Sequence, residues 1–237
     1  MLMRIFISCL FFVLLTANLA VAEEQKNIEL KTDNQKLSYA LGLDLGAYFK
    51  NIGEDIDLAV LHQGVHDAYT GKKPLLNAEE AAEIQQVFAQ KQQEERLKKT
   101  LDMITKNKKA AEDFLKENGA KKGVKTTDSG LQYRVISQGE GKQPKAEDTV
   151  KVHYKGTLLD GTEFDSSYSR NEPAVFPLNQ VIPGWTEALQ LMKVGSKYQV
   201  FLPPTLAYGD RGAPPVIEPG SMLIFEVELL SIEDKAK

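Results

Sequence analysis

The 237-residue sequence has little of the side-chain chemistry on which many enzyme classes depend. It contains one cysteine, Cys9, and three histidines. A single cysteine excludes an intramolecular disulfide framework and a zinc site built from cysteines. The sequence has no G-x-S-x-G nucleophile motif and no glycine-rich phosphate loop. The net charge of −4 gives no general attraction to nucleic acid, so no nucleic-acid partner is expected.

Histidine ligands for a metal are equally scarce. His62 and His66 have the i, i+4 spacing with which two ligands on one helix can share a metal ion. The third histidine, His153, lies far along the chain in a predicted strand, and no glutamate separates the pair in the metalloprotease pattern. We therefore interpret the pair as solvated helix residues and predict neither a metal nor a cofactor.

The longest apolar run lies at the amino terminus. A basic start, an apolar stretch over residues 5–15 and the small residues Ala20-Val21-Ala22 predict a signal peptide over residues 1–22. An uncleaved membrane anchor is the alternative reading, because about 20 apolar residues can span a bilayer. Since Cys9 lies inside this segment, cleavage leaves a cysteine-free protein in which no disulfide bond can join two chains.

Residues 23–76 are predicted to form an all-α domain of two helices. Thr32 and Gln35 have the spacing of a capping box, and Gly53 ends the first helix. Asp57 caps the second helix, which ends at Gly71. A helical pair of about 40 residues buries little apolar surface by itself, so we expect a partner chain.

Residues 77–122 are predicted to form one long connecting helix. Asn77 and Glu80 have the spacing of a second capping box, and no helix breaker follows before Gly119. The stretch over residues 90–96 is wholly polar, which favours a spacer in solvent between two domains. A coiled-coil seam is the alternative, although Lys108 interrupts the sparse heptads.

Residues 123–237 change to the alternating pattern of β-strands. Strands are predicted over residues 131–136, 150–155, 198–202 and 222–232, with Asp160-Gly161 as a hairpin turn whose return strand passes through Glu163-Phe164. One short helix is predicted over residues 185–192. The chain is therefore assigned to the α+β class, with an antiparallel sheet wrapped on one short helix after the helical domain and the connecting helix.

Five successive motifs of this segment carry a family resemblance. They are Val152-His153-Tyr154-Lys155-Gly156, Asp160-Gly161-Thr162-Glu163-Phe164-Asp165-Ser166-Ser167, Val181-Ile182-Pro183-Gly184-Trp185, Leu206-Ala207-Tyr208-Gly209 and Leu223-Ile224-Phe225-Glu226-Val227-Glu228-Leu229-Leu230. In this order they resemble the signatures of FK506-binding peptidyl-prolyl cis-trans isomerases. The signal segment, helical domain and long helix resemble the macrophage infectivity potentiator type of this family.

The resemblance implies an isomerase site without a cofactor or a metal. The residues with an implied catalytic role are Asp165, Tyr208, Tyr154, Phe164 and Trp185, and those implied to bind substrate are Val181, Ile182, Phe176, Ile217, Phe225 and Arg170. Trp185 is expected to form the floor under the proline ring. The Ile182 N–H and the Tyr208 phenol are expected to reach the substrate carbonyl, and Asp165 is expected to be held by Tyr154 and Arg170.

The resemblance also implies partners and a location. Proline-containing peptides and unfolded exported proteins are the expected substrates, and FK506- or rapamycin-type inhibitors are expected to bind. A homodimer through the amino-terminal helices is implied, with export to the periplasm or outer surface of a Gram-negative bacterium. Folding-chaperone activity of the dimer is expected in addition to isomerisation. The alternative function is a chaperone or surface adhesin-like binding protein in which the isomerase pocket is secondary.

Overall fold

A computed structural model describes residues 28–233 of the chain. The predicted signal peptide therefore lies outside the described residues. The chain divides into two compact units, and the boundary in the sequence falls between Leu75 and Leu76. Within the described range, none of the helices combines the length and the apolar character that a membrane crossing needs.

The first unit contains helices α1 (Asp33–Ile52) and α2 (Leu58–Thr70). Both predicted starts are confirmed, since Thr32 and Gln35 form the capping box and the Asp57 carboxylate accepts two backbone N–H groups of α2. The apolar residues of both helices remain accessible, and the buried residue of α2 is Asp67. The two helices thus form without burying an apolar core of their own.

The second unit begins with helix α3 (Ala78–Gly119), whose predicted capping box between Asn77 and Glu80 is confirmed. No residue from 78 to 102 is buried. Farther along, Ala111, Phe114 and Leu115 pack against a small apolar patch on the sheet, formed by Phe201, Met222 and Ile224. The end of α3 is therefore joined to the sheet, which differs from a spacer that stands free along its whole length.

The described part of the second unit also contains a seven-stranded antiparallel sheet. Its strands are β1 (Val124–Thr126), β2 (Gln132–Ser137), β3 (Thr149–Thr157), β4 (Glu163–Ser166), β5 (Ala174–Pro177), β6 (Lys197–Leu202) and β7 (Leu223–Glu233). Their order is β1-β2-β6-β7-β3-β4, and β5 pairs with the first half of β3 beside β4. The long strands β3 and β7 form the centre that positions the site.

The short helix α4 (Pro183–Leu191) packs on this sheet. Trp185, Ala188 and Leu189 of α4 belong to one buried cluster with Val152 of β3 and Leu229 of β7. Every second residue of β3, and of β7 as far as Leu229, is buried, as a half-buried strand requires. The predicted α+β class, an antiparallel sheet around one short helix, is confirmed.

Two strands were absent from the sequence prediction. β1 has three residues, and β5 has four residues that end in proline, so neither offers an alternating pattern long enough to detect. Both are held by pairing with longer neighbours, β1 with β2 and β5 with β3. Helix α4 starts two residues before the predicted Trp185, because Pro183 occupies the first turn, where its missing N–H has no cost.

Candidate active site

Five aromatic rings meet between α4 and the sheet. Trp185 lies edge-to-face against Tyr154, Phe176 and Phe225, at centroid distances of 5.0, 5.5 and 5.2 Å. Phe164 joins the group through Phe225, with centroids 5.6 Å apart and rings perpendicular. Edge-to-face pairs of this kind contribute ~0.5–1.5 kcal/mol each beyond burial. The rings therefore hold one another in a fixed arrangement around Trp185.

Two glycines make room for this arrangement. A Cβ atom on Gly156 of β3 would lie 2.6 Å from the Phe164 ring and 2.8 Å from the Phe225 ring. A Cβ atom on Gly184 would lie 2.5 Å from a Leu202 methyl group, which lets the start of α4 approach the sheet closely. The sequence motif around Gly156 predicted no role for this residue, because the motif does not show that β3 lies between the strands that carry Phe164 and Phe225.

A charged network borders the rings. The Tyr154 hydroxyl donates a hydrogen bond to one carboxylate oxygen of Asp165, and the Arg170 guanidinium pairs with the other. Arg170 also donates to the Tyr154 oxygen at 3.0 Å. The three predicted members of this network are thus in mutual contact.

The network fixes the ionisation of its members. Partial burial opposes ionisation of Asp165, but the hydrogen bonds from Tyr154 and Arg170 outweigh it and lower the pKa of the carboxyl group. Burial, followed by the bond to Asp165, raises the pKa of Tyr154. At neutral pH, Asp165 is therefore an anion held by a neutral phenol and a cation.

Ser167 is a site-supporting residue that sequence reasoning missed. It is fully buried, and its hydroxyl accepts the Tyr154 N–H at 2.8 Å. The same hydroxyl lies 2.9 Å from the His153 Nδ1. These bonds link β3 to the turn after β4, so they fix the backbone that carries Tyr154. A serine within a longer motif gives no signal of burial by itself.

The remaining predicted residues divide into two groups. Val181, Ile182 and Ile217 pack against the buried cluster around Trp185. Ile182 precedes α4, and its carbonyl accepts the N–H groups of Trp185 and Thr186, at 2.9 and 3.2 Å. Within the described residues, no ring contact or hydrogen bond joins the Tyr208 side chain to the cluster, and Tyr208 is 42% exposed.

This arrangement favours binding over bond-breaking chemistry. The rings form a largely buried apolar cluster in which Phe164 and Phe176 are partly exposed. Asp165, which contacts the cluster through Tyr154, is already engaged by two donors. Within residues 28–233 no group of three or more metal-ligating side chains is present. The site can hold an apolar ring and orient a polar group at its edge.

Comparison with known proteins identifies the family. Residues 140–230 match the model of FKBP-type peptidyl-prolyl cis-trans isomerases, and residues 34–135 match that of the domain amino-terminal to such isomerases. The FKBP-type isomerase FkpA of Aeromonas hydrophila is 47% identical over 220 residues, covering 90% of this chain and 81% of the relative. The chain belongs to the FKBP-type peptidyl-prolyl cis-trans isomerases.

Other relatives of this FKBP-type isomerase extend the same relationship. The outer membrane protein MIP of Legionella longbeachae is 44% identical over 207 residues, covering 87% of this chain and 89% of that protein. The crystal structure of FkpA from Escherichia coli matches with a TM-score of 0.70 at 42% identity, over 86% of this chain and 99% of that one. The predicted family, its macrophage infectivity potentiator relatives and its enzyme class are confirmed.

Proposed function

We propose that this isomerase catalyses rotation about X-Pro bonds of exported proteins in the pocket formed around Trp185. The observation that carries the proposal is the cluster of perpendicular rings with Asp165, Tyr154 and Arg170 at its edge. Proline-containing peptides are the proposed substrates. FK506- and rapamycin-type compounds are the proposed inhibitors, competing for the same apolar surface.

The mechanism follows from the reaction itself. Rotation about an X-Pro bond breaks amide resonance over a barrier near 18–20 kcal/mol, and no atom is exchanged. The planar amide separates charge, whereas the twisted transition state resembles a ketone beside an amine and separates less charge. An apolar pocket therefore stabilises the twisted form relative to the planar form. Lowering the barrier by ~6 kcal/mol shortens the lifetime of the bond from minutes to about milliseconds.

The polar groups of the pocket orient the substrate. The Ile182 N–H has no acceptor within the described residues, and we assign it to a substrate carbonyl oxygen. The Tyr208 phenol is exposed, and we assign it to a substrate carbonyl as well. The contact forms when a bound peptide lies between Tyr208 and the aromatic rings. Asp165 faces the rotating carbonyl carbon, and its negative charge is kept in place by two donors.

Peptide kinetics test the pocket. The purified chain is expected to accelerate isomerisation of a proline tetrapeptide, and FK506 is expected to abolish the acceleration. Trp185→Leu, which removes the ring shared by three aromatic contacts, is expected to lower kcat/KM at least about tenfold. Full activity of a folded Trp185→Leu variant would remove Trp185 from the proposed site.

The amino-terminal helices are proposed to form a homodimer. Leu37, Leu41 and Leu45 recur four residues apart along α1, and each is about half exposed in the single chain. A row of leucines at this spacing forms a stripe on one helix face, and such stripes are normally covered. A second copy of the chain is the proposed cover, because the helical pair buries no apolar residue by itself.

Mass in solution tests the dimer. The wild-type chain is expected to have twice its monomer mass by light scattering, and Leu41→Glu is expected to shift it toward the monomer. Asn34→Glu adds the same single negative charge to α1, but at a polar, exposed position in its first turn, so it serves as the matched control. A wild-type chain that is monomeric at micromolar concentration contradicts the dimer.

Chaperone activity is proposed in addition to isomerisation. Its support is the apolar surface of α1 and α2, and two pockets on one dimer would gain avidity for an unfolded chain without new contacts. Folding of whole proteins rich in X-Pro bonds is therefore expected to depend on the dimer. Leu41→Glu should slow that folding while tetrapeptide activity stays constant, and equal loss of both activities contradicts separate roles.

Export to the periplasm or the outer surface is the proposed location. It rests on the signal-peptide pattern of residues 1–22, and a relative from Legionella longbeachae is named an outer membrane protein. The boundaries 1–22, 23–76, 77–122 and 123–237 are kept as the proposed domains. Fractionation of cells that express the full-length chain, with sequencing of its mature amino terminus, tests both the location and cleavage before Glu23.

A further inference from the structure

The loop between β6 and β7 carries two proposed pocket residues, Tyr208 and Ile217, and we define residues 208–220 as the active-site loop. Its ends are tied together, because the Gly220 N–H donates to the Gly209 carbonyl at 2.9 Å. Ala213 and Ile217 exchange two backbone hydrogen bonds, of 2.8 and 3.0 Å, inside the loop. These hydrogen bonds hold the shape of the loop, so its position relative to the pocket depends on the contacts at its two ends.

The carboxyl-terminal end of the active-site loop contacts helix α3. A Cβ atom on Gly220 would lie only 3.0 Å from the Ile104 carbonyl oxygen, so the two backbones are in direct contact. One turn farther along α3, the Asn107 side-chain amide donates to the Pro219 carbonyl at 3.0 Å and to the Glu218 carboxylate at 3.2 Å. These contacts fix the carboxyl-terminal end of the loop.

The other end of the loop is held by the adjacent helix residue. The Lys108 ammonium group pairs with the Asp210 carboxylate at 2.6 Å, two residues after Tyr208. Both side chains are about half exposed, so solvent screens this pair and it contributes less than the partly buried Asn107 bond. Two adjacent residues of helix α3, Asn107 and Lys108, therefore contact the two ends of the loop.

We propose that Asn107 and Lys108 are positioning residues that hold the active-site loop in its substrate-binding conformation. The loop needs an external anchor because Gly209 and Gly220, at its two ends, have positive φ angles and offer little stiffness of their own. The long helix then belongs to the isomerase machinery, although neither residue touches substrate. This inference rests on the proposed pocket role of Tyr208 and Ile217.

The proposal predicts which kinetic constant changes. If an anchored loop exchanges rapidly with a displaced one and substrate binds only the anchored form, the apparent KM rises by the inverse of the anchored fraction while kcat stays constant. An anchored fraction reduced to about one fifth gives about a fivefold higher KM. A merely structural defect lowers the amount of active enzyme instead, so kcat falls and KM is unchanged.

The experiment compares two full-length variants of α3. Asn107→Ala removes both amide bonds to the loop, whereas Lys106→Ala changes a neighbouring residue for which the described structure has no hydrogen bond to the loop. On a proline tetrapeptide, Asn107→Ala is expected to raise KM several-fold at constant kcat, and Lys106→Ala is expected to match the wild type. Equal KM values for the two variants overturn the proposal.

Charge reversal provides a second, independent readout. Lys108→Glu places two carboxylates together at the loop and is expected to raise KM. Adding Asp210→Lys restores an ion pair of opposite polarity and is expected to return KM toward the wild-type value. An unchanged KM for Lys108→Glu, or an increased KM that Asp210→Lys does not rescue, overturns the assignment of Lys108 as an anchor.

Tyr208→Phe and Ile217→Ala, measured beside these variants, distinguish the pocket role of the loop from its anchoring by α3. If both leave kcat/KM unchanged, the proposed pocket role of the loop fails. If either reduces kcat/KM while Asn107→Ala retains the KM of Lys106→Ala, the pocket role stands and the anchoring by α3 fails. Increased KM for Asn107→Ala together with reduced kcat/KM for Ile217→Ala supports both.

Discussion

Neutralising Asp165 without changing its size isolates the role of charge at the pocket edge. In Asp165→Asn one side-chain oxygen can still accept from Tyr154, but the new NH₂ group faces the Arg170 guanidinium, a donor against a donor. Hydrogen bonds to charged groups contribute ~1.5–3 kcal/mol each. The Asp165 side chain is 41% exposed, so screening by water favours the lower end of this range.

The hydrogen-bond energy of Asp165 stabilises the fold, whereas the rate depends on how much more strongly its charge interacts with the twisted amide than with the planar amide. A loss of ~1.4 kcal/mol of this transition-state stabilisation corresponds to about a tenfold change in rate. Asp165→Asn is therefore expected to lower kcat/KM for a proline tetrapeptide about tenfold. Glu163→Gln is the matched control, because it neutralises a carboxylate of the same strand that pairs with Lys155 at 3.0 Å and lies outside the network. The control is expected to retain wild-type activity.

Urea unfolding of both variants separates catalysis from stability. The expected result is a lower unfolding midpoint for Asp165→Asn, which loses its contact with Arg170, while both variants remain folded in the absence of urea and the loss of activity is confined to Asp165→Asn. Wild-type kcat/KM in a folded Asp165→Asn variant would refute the electrostatic role of Asp165, and the aromatic pocket would then act by apolar binding alone.

The other predictions concern pH and packing. Because the pKa of Asp165 is lowered and that of Tyr154 is raised, kcat/KM should be constant from about pH 5 to 9, and a profile with an inflection near pH 6.5 contradicts this. The stability contributed by ionised Asp165 is fully present above its unfolded-state pKa of about 3.9 and is lost as pH falls through its lowered pKa, so the difference in unfolding free energy between the wild type and Asp165→Asn should narrow as pH falls below about 4. Gly156→Ala is expected to destabilise by ~1–3 kcal/mol through overpacking of two phenylalanine rings, whereas Gly64→Ala, with open space around it, should not destabilise; equal unfolding midpoints contradict the packing account.

The helices were predictable because their start and stop signals are local. The capping boxes at Thr32 and Asn77 and the stop at Gly53 each act within about four residues, and each lies where the sequence indicated. The short strands β1 and β5 were not predictable. Their conformation depends on pairing with longer strands rather than on their own three or four residues.

The site was only partly accessible to sequence reasoning. Local pattern marked apolar residues near turns, but Trp185 meets Tyr154 and Phe225 through the sheet order, which no single segment encodes. The family resemblance supplied that connection. Neither the local patterns nor the family resemblance predicted the contact of α3 with the sheet. The helix presents few apolar residues, and Asn107 contacts partners more than 100 positions away in the sequence.

The central claim is that isomerisation proceeds by differential binding, without proton transfer or a covalent intermediate. The most direct measurement is the solvent isotope effect on kcat/KM for a proline tetrapeptide, in H₂O and in D₂O, at matched positions of the flat pH region. The account predicts a ratio close to one, because no proton moves in the transition state. A ratio of about two or more would indicate general acid–base catalysis and contradict the account.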